Sequence, residues 1–504
     1  MILSNPEMKH KIISLKLSNE GIRGQIQEFL SLFPLNEFIN LRSLSLINLK
    51  DKNIEQLLPM LPLLSNLYHF SFTDLKYRTS EILSALSKSK LRILSIPEFQ
   101  YGIAVFKKML ITSLTISYCR SHELCELFKY ASMLKYLKIE DLSDYIQQYD
   151  LAKFPIEKAV YLKQLIVDYC MDDFEIVEQL LKRIPNLTIF TICAPDKIDM
   201  IDANRWQHLI ESSLPHLRVF NFYFGFRFSH YYPKDILNEL QQFQTNFWCE
   251  QHHWHTNYEI TYDSASIYTI PYVWKQYTLV PTMNRYSYSN EFDNVTMLIL
   301  SRKAIKDNSP YYFKNVKSLI LRYEYDGGSI QDFYNLQTTQ IKYLNKIVNL
   351  SNIKHLELTS ACKTLLSPSS LLELLKELPY VSSLKCDSLK SFYNNHELCE
   401  CLNRKIKTLH FSCLFNGLYI NSDEVDLLCK TFSNVEQLRT YIDKLDDLLS
   451  ILRQCSKLSI INLTHINKHI YSWIEMNASK LNVYINFSSI ISRDKEFLIV
   501  TSID

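Results

Sequence analysis

One short pattern constrains this chain more than any other feature. It is three apolar residues spaced 3 and then 2 apart, as in Leu41-Arg42-Ser43-Leu44-Ser45-Leu46. An early series of copies starts at Ile12, Leu41, Leu67, Leu91, Ile111, Leu134, Leu162, Leu187 and Leu217. A late series starts at Val295, Val316, Ile353, Val381, Ile406, Val435 and Leu458. Copies recur at intervals of roughly 20 to 30 residues. Sixteen repeats of one irregular spacing do not arise by chance. The residue just before the first apolar position is often asparagine, as at Asn40, Asn66, Asn186, Asn315, Asn352 and Asn434.

The 2-residue step inside the phrase is the period of a strand, so its apolar side chains share one face and the residues between them share the other. Helical text lies between many phrases. Ser367-Pro368 ahead of Leu371 and Leu372 reads as a capping serine with proline in the first turn. Apolar residues at Phe174, Val177, Leu180, Leu181 and Ile184 form a helical stripe, and Ser422 opens another helix through Val425 and Leu428. One strand and one helix per unit predict an α/β, leucine-rich-repeat-like solenoid. Parallel strands would line its concave side and helices its convex side, as in a horseshoe. Cys119 and Cys170, each three residues past the third apolar position, fall in the slot where a small side chain serves buried backbone groups.

The spacing breaks once, between Phe222 and Val295. The interruption predicts a helix over Pro233 to Phe243. It also predicts a β-hairpin whose strands, 258–262 and 267–272, flank a turn at Asp263-Ser264-Ala265-Ser266. Three of the five tryptophans, Trp248, Trp254 and Trp274, lie here. The domain reading is a repeat block over 1–224, an aromatic-rich insertion over 225–292 and a second repeat block over 293–504.

Composition narrows the function. Charge is nearly balanced, 55 Lys+Arg against 53 Asp+Glu, which argues against a generally basic nucleic-acid or membrane-surface binder while leaving room for a local patch. Seven glycines are too few for phosphate-cradling loops, and Gly327-Gly328 fits no such fingerprint. Met1 to Pro6 has no signal-peptide character, and the apolar run Leu57 to Leu64 is too short to span a bilayer. The reading is cytoplasmic or nuclear, with twelve scattered cysteines as reduced thiols.

No catalytic, metal or cofactor site is predicted. Cys249-Glu250-Gln251-His252-His253-Trp254-His255 has zinc-like residue types but no second ligand pair nearby, so it reads as a polar loop between aromatic anchors. Cys399-Glu400-Cys401 is too tightly spaced for a redox motif. Neither His355 nor His410 has a nucleophile beside it in sequence.

The positions between the apolar residues locate the candidate binding face. Early repeats place Ser43, Ser45, His69 and Ser71 there; middle repeats place Ile166, Ile189, Val219, Met297, Ile299 and Ile320; late repeats place His355, Glu357, Lys385, His410 and Arg439. The apolar middle needs cover. Either the insertion folds back over it, which is the favoured expectation, or a protein partner docks there.

Several segments carry a family resemblance: Gln25 to Phe33, Met60 to Leu67, Ser89 to Pro97, Leu127 to Leu137, and Phe247-Trp248 with Tyr268 to Tyr272. They resemble a lineage-expanded group of F-box domain-containing proteins with leucine-rich-like repeats. The resemblance implies a non-enzymatic receptor whose repeats select substrate for a cullin-based ubiquitin ligase. In that family an F-box ahead of the repeats docks a Skp1-like adaptor. Here the first phrase begins at Ile12 and no L-P-x-E-type opening occurs, so adaptor docking is expected only of a longer form. The alternative is a stand-alone repeat scaffold. Nucleic acid and membrane are not among the expected partners.

Overall fold

The computed structural model describes residues 6–19, 25–73, 78–86, 89–98, 106, 109–143, 157–228, 236–261, 263–281, 291–322, 338–359, 367–386, 392–411, 422–463, 468–477, 481 and 483–487. The chain forms two compact units, one chiefly of residues up to Ile270 and the other chiefly from Pro271 onward.

In the first unit nine strands stand side by side in chain order, all parallel. They are β1 (Ser14–Ser18), β2 (Ser43–Ile47), β3 (His69–Phe72), β4 (Ile93–Glu98), β5 (Ser113–Cys119), β6 (Tyr136–Leu142), β7 (Gln164–Val167), β8 (Ile189–Ala194) and β9 (Val219–Arg227). Every early phrase falls on one of them, with like positions of the phrase paired. Leu44 faces Leu15 on one side and Phe70 on the other. The apolar positions are buried from β2 to β9, and those of β1, at the open edge, are only partly covered. Burying one such side chain contributes about 1.5–3 kcal/mol, which is what holds each repeat against its neighbours. Helices such as Ser121–Tyr130 and Phe174–Leu181 pack their apolar stripes on the same face of the sheet, where Leu124 and Val177 meet Ile139 and Leu165.

The asparagines before the phrase have a shared task. The side chains of Asn40, Asn66 and Asn186 donate to the carbonyls of His10, Ile39 and Val160 at 2.8–3.1 Å. Each of those carbonyls lies two residues ahead of the preceding phrase. Just beside them, the carbonyl after the first apolar residue accepts two backbone N–H groups from the next repeat, as Arg42 O does from Tyr68 and His69. The asparagine bonds lie at the surface, and they tie neighbouring repeats together at the N-terminal edge of the sheet.

The segment read as an insertion divides between the two units. A hairpin of β10 (Thr256–Ile260) and β11 (Ser264–Thr269) adds antiparallel to β9, in the order β9-β11-β10. The strands end at Ile260 and resume at Ser264, ahead of the expected turn at 263–266, and the Ser264 N–H donates to Thr261 Oγ1 at 2.9 Å. A helix is present at Ile236–Gln241, shorter than expected, with the remainder of the expected span in a 3-10 turn or outside the described residues. Trp248 packs on Phe220, Phe222 and Phe243, which are core-side residues. The hairpin therefore continues the first sheet edge-on, and its aromatic anchors fill the core side. The hairpin thus does not form the expected fold-back over the concave face: β9 offers an open edge of unpaired backbone groups, and the hairpin pairs there.

The second unit has nine parallel strands in chain order: β12 (Gln276–Leu279), β13 (Met297–Ser301), β14 (Ser318–Arg322), β15 (His355–Thr359), β16 (Ser383–Cys386), β17 (Thr408–Phe411), β18 (Gln437–Thr440), β19 (Ile460–Leu463) and β20 (Tyr484–Phe487). All seven late phrases lie on β13 to β19. Helices such as Pro368–Glu377, capped by Ser367 as expected, follow in alternation. The same asparagine bonds recur, from Asn294, Asn315 and Asn352 to Tyr272, Asp293 and Lys314. The fold of both units is a leucine-rich-repeat-like solenoid, with one strand per repeat.

Candidate functional site: the concave faces

Two rows of side chains run across the strands on the face opposite the core. In the second unit the row between the second and third apolar positions reads Thr278, Ile299, Ile320, Glu357, Lys385, His410, Arg439 and Asn462. The parallel register sets each residue beside the next. Lys385 Nζ lies 2.7 Å from Glu357 Oε1. His410 follows between Lys385 and the exposed Arg439. Burial, then the positive charges of Arg439 and Lys385, holds the His410 imidazole down to about 4, so it is neutral at pH 7. Among the described residues Arg439 has no carboxylate within ion-pair distance. These side chains, with His355, Ser383, Thr408 and Gln437, line a depression of about 240 Å³.

Of the expected site residues, the structure therefore gathers His355, Glu357, Lys385, His410 and Arg439 in one place. Met297 lies beyond them and is half-buried, while Ile299 and Ile320 are buried at 6% and 9% exposure and offer little to a partner. Ile166, Ile189 and Val219 belong to the first unit, where Val219 is exposed and the other two half-buried. The apolar middle of the sequence reading is thus divided between two sheets.

The first unit's concave face is hydroxyl-rich. Ser71 Oγ donates to Ser45 Oγ at 2.8 Å, and Lys138 pairs with Asp168 at 2.8 Å. Ser43 Oγ and His69 Nδ1 are 2.9 Å apart, a contact the sequence reading missed. Aligning the phrases would have shown it, since both residues precede the second apolar position. Burial lowers the His69 pKa, and among the described residues no carboxylate orients its ring, so the pair lacks the third group that a nucleophilic triad uses.

The Cys249–His255 segment is a structural turn. His252 stacks on Trp254 at 4.2 Å, and Trp254 Nε1 donates to Arg218 O. Among the described residues no group of three His, Cys, Asp or Glu could hold a metal ion. Every described cysteine is a free thiol. Cys119 and Cys170 are fully buried, and burial raises both thiols well above their ordinary range, away from reactive thiolate. No described helix is long and apolar enough to cross a membrane.

No known family model matches this chain, and no curated protein matches it. Similar solved structures include the leucine-rich repeat-containing protein LegL7 from Legionella pneumophila, at 15% identity and a TM-score of 0.28, covering 47% of this chain and 93% of that one. The LRR protein LIC12759 from Leptospira interrogans is 13% identical with a TM-score of 0.23, covering 96% and 97%. TLR13 in its complex with ssRNA13 is 12% identical with a TM-score of 0.27, covering all of this chain and 68% of that one.

Proposed function

We propose that this chain is a non-enzymatic protein-binding solenoid whose principal partner contact is the concave depression of the second unit. The observation that carries the reading is the Glu357-Lys385-His410-Arg439 row. It presents a cation without a carboxylate partner beside a satisfied ion pair, inside a recess lined by hydroxyl and amide groups. Such a recess fits one anchoring side chain of a folded partner, with the neighbouring polar groups as its rim. Stacked repeats serve this purpose by building an extended concave surface.

Affinity capture from the native source tests it. Arg439→Glu combined with His355→Ala removes the partner, while Lys376→Glu on the helix Pro368–Glu377 leaves it bound. Equal capture by both variants overturns the reading.

The narrower reading is a substrate receptor of F-box ancestry, supported by the segment resemblances at Gln25 to Phe33 and Leu127 to Leu137. It predicts that a form extended at its N-terminus co-purifies with a Skp1-like adaptor. Failure of that form to bind leaves a scaffold without a ligase connection.

A further inference from the structure

The near-neutral total charge conceals a segregation across the first sheet. At the N-terminal edge of the nine strands, each phrase is entered through a short turn. The four residues from two before to one after the first apolar position hold seven Lys or Arg across the nine turns and no Asp or Glu. Five of the cations follow the first apolar residue directly: Arg42, Arg92, Lys135, Lys163 and Arg218. All are exposed except Arg92, which is half-exposed, and among the described residues none lies within ion-pair distance of a carboxylate. Arg92 is held instead by the Leu110 carbonyl at 2.7 Å.

Toward the C-terminal edge, by contrast, some cations have acidic partners: Lys197 bonds Asp173 and Arg227 lies 3.5 Å from Asp196, while on the concave face Lys138 bonds Asp168. Large exposed apolar side chains also collect at the cationic edge, at Ile13, Tyr68, Leu110, Met133, Val160 and Tyr161. A single exposed apolar residue needs no explanation, but a file of them in five of the nine turns does. With strands about 4.8 Å apart, the turns from β1 to β9 make a strip roughly 38 Å long.

We infer that this strip is a second docking surface, taking an acidic protein segment in which carboxylates alternate with apolar or aromatic side chains. Charge complementarity selects the acidic residues, and the exposed Tyr and Leu side chains select the apolar ones. The strip is continuous with Ser43, His69 and Ser113 on the concave face. Bases of a nucleic acid would find Tyr68 and Tyr161 four turns apart, too far for successive stacking. This surface is on the first unit and stands or falls separately from the depression around Arg439.

The experiment uses the full chain and a fluorescent random copolymer of glutamate and tyrosine, with polyglutamate, a thymidine oligonucleotide and phosphatidylserine vesicles as parallel probes. The copolymer binds best, and added salt weakens it. The triple variant Arg42→Glu, Arg92→Glu, Lys135→Glu weakens it at least roughly tenfold. Tyr68→Ser with Tyr161→Ser brings its affinity down toward that of polyglutamate. Lys129→Glu, on the helix Ser121–Tyr130, changes nothing. If the triple variant melts, Lys135→Glu alone gives a smaller loss in the same direction. Tighter binding of vesicles or oligonucleotide than of copolymer overturns the proposal, as does copolymer binding indifferent to the charge reversals.

Discussion

Lys385 Nζ reaches Glu357 Oε1 at 2.7 Å from one repeat to the next, and the same row continues to His410 and to Arg439. The pair removes one cation from those available to a partner and leaves the other. Both side chains are partly screened by solvent, so their mutual contribution is small. A double-mutant cycle with Lys385→Met and Glu357→Gln, followed by urea unfolding, gives a coupling of about 0.5 kcal/mol. Strict additivity of the two single changes would show that the pair contributes nothing in solution.

His410 makes stability depend on pH in a defined direction. Its folded pKa is held down to about 4 against an ordinary value of 6.5, by burial and by Arg439 and Lys385. Between those values the unfolded chain takes up a proton and the folded chain does not. Stability is therefore undiminished above pH 6.5 and erodes as pH falls toward 4. Urea midpoints at pH 7 and at about pH 5 fall further apart in the wild type than in His410→Gln. An equal separation in the two proteins rejects this assignment.

The asparagine bonds at the N-terminal edge predict a chemical asymmetry. Asn315 donates to the Asp293 carbonyl at 2.8 Å. Asn315→Ala removes the bond and costs about 1 kcal/mol. Asn315→Asp costs more, because it replaces the donor with a charge facing a carbonyl oxygen. Chemical denaturation ranks them, and an aspartate variant as stable as wild type contradicts the role.

Gly225 lies where the hairpin joins the repeats. A Cβ there would meet the Pro195 carbonyl oxygen at 2.9 Å, a backbone atom held in place by its own turn. Gly225→Ala is expected to destabilise the first unit by about 1–3 kcal/mol. Thermal unfolding monitored by tryptophan emission reports it, since Trp206, Trp248 and Trp254 are buried close to β9. An unchanged melting curve would mean that the junction relaxes freely.

All sixteen phrases occupy strands because the apolar spacing and the strand period are one physical fact. Two further strands escaped notice. In β12 the phrase is Trp274, Tyr277 and Leu279, aligned with Val295, Leu298 and Leu300 through Tyr277↔Leu298, but aromatic residues stand for the leucines. The asparagine bond from Asn294 to Tyr272 marks it as a true repeat. Ahead of β20 the sequence has Asn where the pattern has its first apolar residue, so only Ile485 and Phe487 remain of it. The hairpin was legible as a hairpin, but not where it would pair, because that depends on the free edge of β9. Candidate concave residues could be read from alternation alone. Their pairing required knowing that neighbouring phrases align without stagger, and the burial of Ile299 and Ile320 could not be read from periodicity.

Successive phrases are 20 residues apart from Leu91 to Ile111 and 37 apart from Val316 to Ile353, yet both pairs of strands meet in the same register. Alignment is fixed at the turn, by the paired backbone bonds and the asparagines, and the length of the return path is left free. The natural unit of change in such a molecule is the whole repeat. Duplicating or deleting one coil should leave flush joints, so lineages of these chains can lengthen, shorten and resurface without redesigning what holds them together.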